Sequence, residues 1–139
     1  PYSAEIIPSI PFVDVITPNE TEASLLSGID ISDFDTAKEA ALRIARLGAK
    51  KVLITMGSRG ALLLDNRQFS HIRAFPAVTV DTTGAGDAFN GALAASLAAG
   101  NSLVQAATWA SAFASLAVEL EGASNMPEFE QANARLRTL

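Results

Sequence analysis

Strand-like apolar runs alternate with helix-patterned segments from the start of the chain, and this order constrains the fold more than any other feature. Val13-Asp14-Val15-Ile16-Thr17 reads as a short buried strand stopped by Pro18. Asn19 caps a helix over about Glu20 to Ser27, which Gly28 ends. Asp33 or Asp35 caps the next helix, whose apolar stripe is Ala37, Ala41, Ile44, Ala45 and Leu47. Gly48 follows, where a left-handed residue is wanted. Lys51 to Met56 and Ala61 to Leu64 are further strands, joined by the turn Gly57-Ser58-Arg59-Gly60. Asp65-Asn66-Arg67 turns into a strand over about Phe69 to Phe75, and after Pro76 the residues Ala77 to Val80 run on toward a glycine-rich turn. A helix from about Ala85 carries Phe89, Leu93 and Leu97 on one face and stops at Gly100. Asn101 or Ser102 caps a helix reaching about Leu120, and Pro127 opens a last one to Leu136. The pattern argues for a layered α/β sheet with helices packed on it, in one domain of 139 residues.

Within this frame, Asp81-Thr82-Thr83-Gly84-Ala85-Gly86-Asp87-Ala88-Phe89-Asn90-Gly91 is a glycine-rich turn leading into a helix, with an acid just behind the second glycine. Backbone amides at a helix start attract anions, because the amides and the helix dipole point the same way. Beside a bound phosphate, Asp87 can accept a proton from an attacking hydroxyl. Cradle and base together point to phosphoryl transfer to an alcohol. The turn is not a Walker A loop, since no Lys-Ser/Thr pair follows the last glycine. It is not the dinucleotide fingerprint either, because Phe89 occupies the third glycine position. A tight turn with a plain helix cap is the bland alternative for glycines of this kind.

Composition narrows the partners. The formal net charge of −5, with no basic block to offset it, argues against general nucleic-acid binding. Any phosphate must be held by local amides and a metal, against the overall field. The chain has no cysteine and a single histidine, His71, which excludes thiol catalysis, disulfides and multi-histidine metal sites. The longest apolar stretch, Ala92 to Ala99, is far too short to span a bilayer and no signal peptide is visible, so a cytoplasmic protein without membrane partners is the default. Pro1 in place of Met hints at a trimmed or partial chain.

Asp81 to Gly91 resembles the second signature of the ribokinase-like (PfkB) carbohydrate kinases, Asp-Thr-Thr-Gly-Ala-Gly-Asp-x-Phe-x-Gly, at every fixed position. The resemblance implies an α/β, three-layer αβα Rossmann-like ribokinase fold, and ATP- and Mg²⁺-dependent phosphorylation of a hydroxyl on a sugar or related alcohol. It makes Asp87 the catalytic base, and the amides of Gly84, Ala85 and Gly86 the anion hole. Thr17-Pro18-Asn19-Glu20-Thr21-Glu22 resembles the family's Asn-x-x-Glu motif, in which Asn19 and Glu22 organise Mg²⁺ and phosphates, largely through water. The bland reading is a helix cap with Glu22 completing a capping box, and the two roles are compatible. Thr55, Gly57, Ser58 and Gly60 resemble the loop along the ATP phosphates and ribose, against the competing account of a plain turn with Arg59 solvated. Gly122-Ala123-Ser124-Asn125 matches a segment that in many members holds a monovalent cation, here K⁺, together with the region of Asp81 and Thr83. Ser111 to Phe113 borders the adenine by the same resemblance, although members often carry asparagine where Ser111 stands.

The resemblance covers almost the whole chain but only the C-terminal, nucleotide-binding half of a typical member, since such kinases run to roughly twice this length. Residues 1–139 are therefore expected to hold the ATP site and the base, without the sugar-binding half and lid, and to be inactive alone. A sheet lacking its partner strands would expose an edge that invites association, and the full-length protein is expected to be a homodimer. Two other readings stand beside this one: a stand-alone nucleotide-binding or regulatory module, and a pyridoxal- or hydroxymethylpyrimidine-type vitamin kinase of the same superfamily. His71 and Trp109 read as structural, and Glu119, Glu121, Glu128 and Glu130 as a solvated face.

Overall fold

A computed structural model describes residues 4–124 and 126–138. They form two compact units. One comprises residues 4–57 with Ala61–His71, the other Ser58–Gly60 with the described residues from Ile72 onward.

The first unit opens with a 3₁₀ segment, Ala4–Phe12, that contains Pro8 and Pro11. Neither proline donates an amide, which disfavours a regular α-helix there. Helices α1 (Glu20–Ser27) and α2 (Phe34–Arg46) pack on each other and on strand β1 (Lys51–Thr55). Strand β2 (Ala61–Asp65) pairs antiparallel with β1, from Lys51 opposite Asp65 to Thr55 opposite Ala61. Strand β3 (Gln68–Ile72) lies beside β2. The turn between them is Asn66-Arg67, with φ of 48° and 65°, and two-residue hairpins favour positive φ at both positions. The core joins Ala37, Ala40, Ala41 and Ile44 of α2 to Val52, Ile54, Leu62 and Leu64 of the sheet. The small residues of α2 let its backbone approach the strands, and full burial of a side chain such as Ile44 stabilises by roughly 1.5–3 kcal/mol.

The expected strand Val13 to Thr17 is shorter than its pattern suggested. Only Ile16 and Asn19 bridge β1, in parallel, opposite Val52 and Thr55. Ile16 exchanges hydrogen bonds with Lys51 and Leu53, and Thr55 donates to the Pro18 carbonyl at 3.0 Å. Pro18 has no amide to donate, so the pairing on either side of it is reduced to isolated bridges.

In the second unit, α3 (Ala85–Ala98) packs along α4 (Leu103–Ala117), and α5 (Phe129–Leu136) packs on α4. Buried Ala88, Ala92 and Ser96 on α3, and Ala106, Ala107 and Ala110 on α4, are small enough to allow close packing. Trp109 sits between Phe113 and Phe129, at 5.5 and 5.6 Å, and its Nε1 donates to Asn133 Oδ1 at 3.0 Å. It is a packing residue, as expected. Helix α4 ends at Ala117, short of Leu120, and Glu128 rather than Pro127 stands at the start of α5.

The strand expected over about Phe69 to Phe75 runs from Gln68 to Ile72, and Ala77 to Val80 form none. The amides of Val80 and Asp81 both donate to the Val118 carbonyl, at 2.8 and 3.1 Å, and that of Val78 donates to Glu119 Oε1 at 3.2 Å. The end of α4 takes the donors that a neighbouring strand would have used, and Val78 and Val80 stay 79% and 61% exposed.

Candidate active site

Helix α3 begins without a side-chain cap. Its N-cap is Gly84, in a left-handed conformation with φ 80°. A Cβ at Gly84 would sit 2.8 Å from the Ala123 Cβ and 3.1 Å from its Cα, so the position demands glycine for both conformation and space. The Ala85 amide, assigned to the anion hole by resemblance, donates to the Thr82 carbonyl at 3.1 Å and is engaged in this conformation. Among the described residues the amides of Gly84, Gly86 and Asp87 make no hydrogen bond. These are orphan donors of a helix start, aligned with its positive end. Asp87 lies in the first turn, with its side chain exposed and without a partner among the described residues.

Asp81 shapes the turn ahead of this helix. Its Oδ1 accepts the Thr83 amide at 2.8 Å and its Oδ2 the Gly122 amide at 3.1 Å. The Thr83 hydroxyl first, and then the Thr83 and Gly122 amides, hold its carboxyl below the usual aspartate value. Asp81, Thr83, Gly122 and Ala123 thus come together around the Gly84 turn. Asn125, expected to complete a cation site there, lies outside the described residues.

In the first unit, Asn19 and Glu22 form a reciprocal capping box at the start of α1. Asn19 Oδ1 accepts the Glu22 amide at 2.9 Å, and Glu22 Oε2 accepts the Asn19 amide at 3.0 Å. The box fixes the Glu22 carboxylate through one oxygen and leaves Oε1 without a partner among the described residues. The bridge from Asn19 to Thr55 sets the same helix start beside the end of β1. Sequence alone suggested this box, and the structure forms it.

Gly57–Arg59 is a single 3₁₀ turn. At Gly60, with φ 91°, an added Cβ would run into the Ile72 carbonyl oxygen, so the turn closes against the end of β3. Ser111, on α4, donates its hydroxyl to the Arg73 carbonyl at 3.0 Å and retains only its acceptor lone pairs for a ligand. His71 packs edge-on against Phe34 at 4.4 Å, a structural role. Glu119 departs from the expected solvated face, because it pairs with Arg135 at 2.8 Å. Neither partner is near the other in sequence, so no local signal marks the pair. No group of three or more acidic or histidine side chains able to hold a metal occurs among the described residues.

An α/β chain with an uncapped, glycine-led helix start and a free carboxylate in the first turn is equipped to hold an anion beside a base. Comparison with known proteins narrows that class. The model of the pfkB family carbohydrate kinases matches residues 5–130. Ribokinase of Staphylococcus aureus (strain COL) is 36% identical over 137 residues, covering 96% of this chain and 45% of the relative. Arabidopsis thaliana ribokinase, solved in complex with ribose and ATP, superposes with a TM-score of 0.86 at 35% identity, over 92% of this chain and 42% of that one. Phosphofructokinase-2 of Escherichia coli, solved in complex with potassium, gives 0.80 at 27% identity, over 90% and 40% of the two chains. The chain belongs to the pfkB family of carbohydrate kinases and has the α/β ribokinase fold. It spans less than half the length of the relatives described.

Proposed function

We propose that this chain carries the phosphate-binding and proton-accepting part of an ATP-dependent sugar kinase. One observation carries the reading: among the described residues, the start of α3 has free amides at Gly84, Gly86 and Asp87, no side-chain cap, and an unpartnered Asp87 carboxylate. Asp87 takes the proton of the acceptor hydroxyl as that oxygen bonds to the γ-phosphorus of ATP and the bond from that phosphorus to the ADP oxygen breaks, releasing ADP. The Gly84 and Gly86 amides donate to the phosphoryl oxygens, where charge gathers in a loose transition state. Their geometry is set before reaction by the Gly84 turn, so little reorganisation is needed at the moment of transfer.

The residues present suit the expected cofactors. Glu22 Oε1, with Asn19, suits a water-mediated contact to Mg²⁺, which favours oxygen and keeps its waters. Thr55, Gly57, Ser58 and Gly60 would line the nucleotide phosphates and ribose, with Ser111 bordering the adenine. Asp81, Thr83, Ala123 and Asn125 would hold K⁺, chiefly through carbonyls, because both Asp81 oxygens already accept amides. When bound, ATP supplies the transferred phosphoryl group, and the cations offset charge that a chain of net −5 would otherwise repel.

Residues that choose the sugar are proposed to lie in a part of the relatives that this chain does not match, within a homodimeric cytoplasmic enzyme. The decisive experiment is Asp87→Asn in a full-length kinase containing this sequence. Turnover should fall by about 10²–10⁴, with ATP binding retained. Unchanged turnover refutes Asp87 as the base. The 139-residue chain alone should bind ATP without sugar-dependent turnover, and robust turnover would refute the division of labour.

A further inference from the structure

The run from Pro76 to Asp81 leads directly into the Gly84 turn and, among the described residues, has no strand beside it, yet it is anchored along its length. Arg135, on α5, donates from Nη1 to the Pro76 carbonyl at 2.6 Å and from Nη2 to Glu119 Oε2 at 2.8 Å. Its Nη1 also lies 3.4 Å from the Ser115 hydroxyl. The other Glu119 oxygen, Oε1, accepts the Val78 amide at 3.2 Å. One residue earlier in the chain than Glu119, the Val118 carbonyl accepts the amides of Val80 and Asp81. The run is thus held at Pro76, Val78, Val80 and Asp81, and two of those anchors pass through the Arg135–Glu119 pair. The two side chains are only 18% and 28% exposed, so salt screens them less than a surface pair. A planar guanidinium can serve a carbonyl and a carboxylate at once, which a single ammonium does less well.

We propose that Arg135 and Glu119 are positioning residues of the phosphoryl-transfer site. They fix the Pro76 to Asp81 run and thereby the orientation of the Asp81 carboxylate, which holds the Thr83 and Gly122 amides around the Gly84 turn. They act through this backbone, not by touching a substrate. The proposal rests on the kinase reading for its consequence, while its structural part stands independently.

Hydrogen exchange on the 139-residue chain, with and without ATP and Mg²⁺, tests it in Arg135→Ala, Arg135→Lys and Glu119→Gln. Arg135→Ala should speed exchange at the Val78, Val80 and Asp81 amides by about tenfold or more, leaving β1 and α2 protected. Affinity for ATP·Mg²⁺, read by calorimetry, should fall about fivefold or more, the scale of one ordinary hydrogen bond. Arg135→Lys should recover part of both losses, and Glu119→Gln should act chiefly at Val78. Unchanged exchange at these three amides overturns the proposal, as does faster exchange spread evenly over the chain in all variants. If Arg135→Ala does not fold, the other two variants decide by the same criteria. Should the wild-type chain not bind ATP, the kinase reading fails while the exchange pattern still decides the positioning.

Discussion

Two helix starts in this molecule solve the same problem in opposite ways. Each helix leaves amides without an intrahelical acceptor. At α1 the chain answers from within: Asn19 and Glu22 each accept the other's amide, and the start is closed. At α3 the N-cap is a glycine with no side chain, Ala85 alone finds a backbone acceptor, and the next donors remain open. Helices α2 and α4 follow the α1 pattern, with boxes from Asp33 and Thr36 and from Ser102 and Gln105. The open start therefore leaves donors available among the described residues, while the closed one holds its carboxylate still.

The most severe way to break the comparison is to remove what the open start serves. Asp87→Asn should cost about 10²–10⁴ in turnover of the full-length kinase while changing stability by less than about 0.5 kcal/mol, checked by steady-state kinetics and urea unfolding. Gly84→Ala should act on both. The left-handed backbone alone costs about 1–2 kcal/mol, and the contact with Ala123 adds to it, so the second unit should soften and ATP affinity should drop. Wild-type stability in Gly84→Ala would mean that the turn is not tightly fitted.

Closing the comparison from the other side, Asn19→Ala should cost about 1 kcal/mol of stability by loss of its cap. If the Glu22 carboxylate also organises Mg²⁺, the same variant should raise the Mg²⁺ concentration required for ATP binding, and an unchanged requirement would leave the box purely structural. The smallest effect concerns pH. The Arg135 hydrogen bond holds the Glu119 carboxyl below its ordinary value, against the opposing effect of burial. Its contribution is therefore present above the unfolded value, near pH 4.3, and is lost as pH falls through the lower folded value. About 0.5–1 kcal/mol should disappear there, and Glu119→Gln should flatten that part of the stability profile.

Much of this was legible from local pattern. Asn19, Asp33 and Ser102 announce helix starts because a short polar side chain reaches its own helix's amides within three residues. Gly28 and Gly48 mark helix exits because left-handed backbone favours glycine. Lys51 to Met56 reads as a strand from its β-favouring residues, and β1 covers Lys51–Thr55, with its three central residues buried. The course of Ala77 to Val80 was not legible in this way, because Val118 and Glu119, about forty residues later, take amides of this segment.

The sequence by itself determined the family, the caps and the glycine-led turn with its acid, because each depends on neighbours within a few residues. Only the tertiary structure decided that Asp81 reaches Gly122 and that Glu119 is tied to Arg135 instead of facing water. Those contacts join residues far apart in the chain, and their energies come from hydrogen bonds whose partners no local pattern specifies.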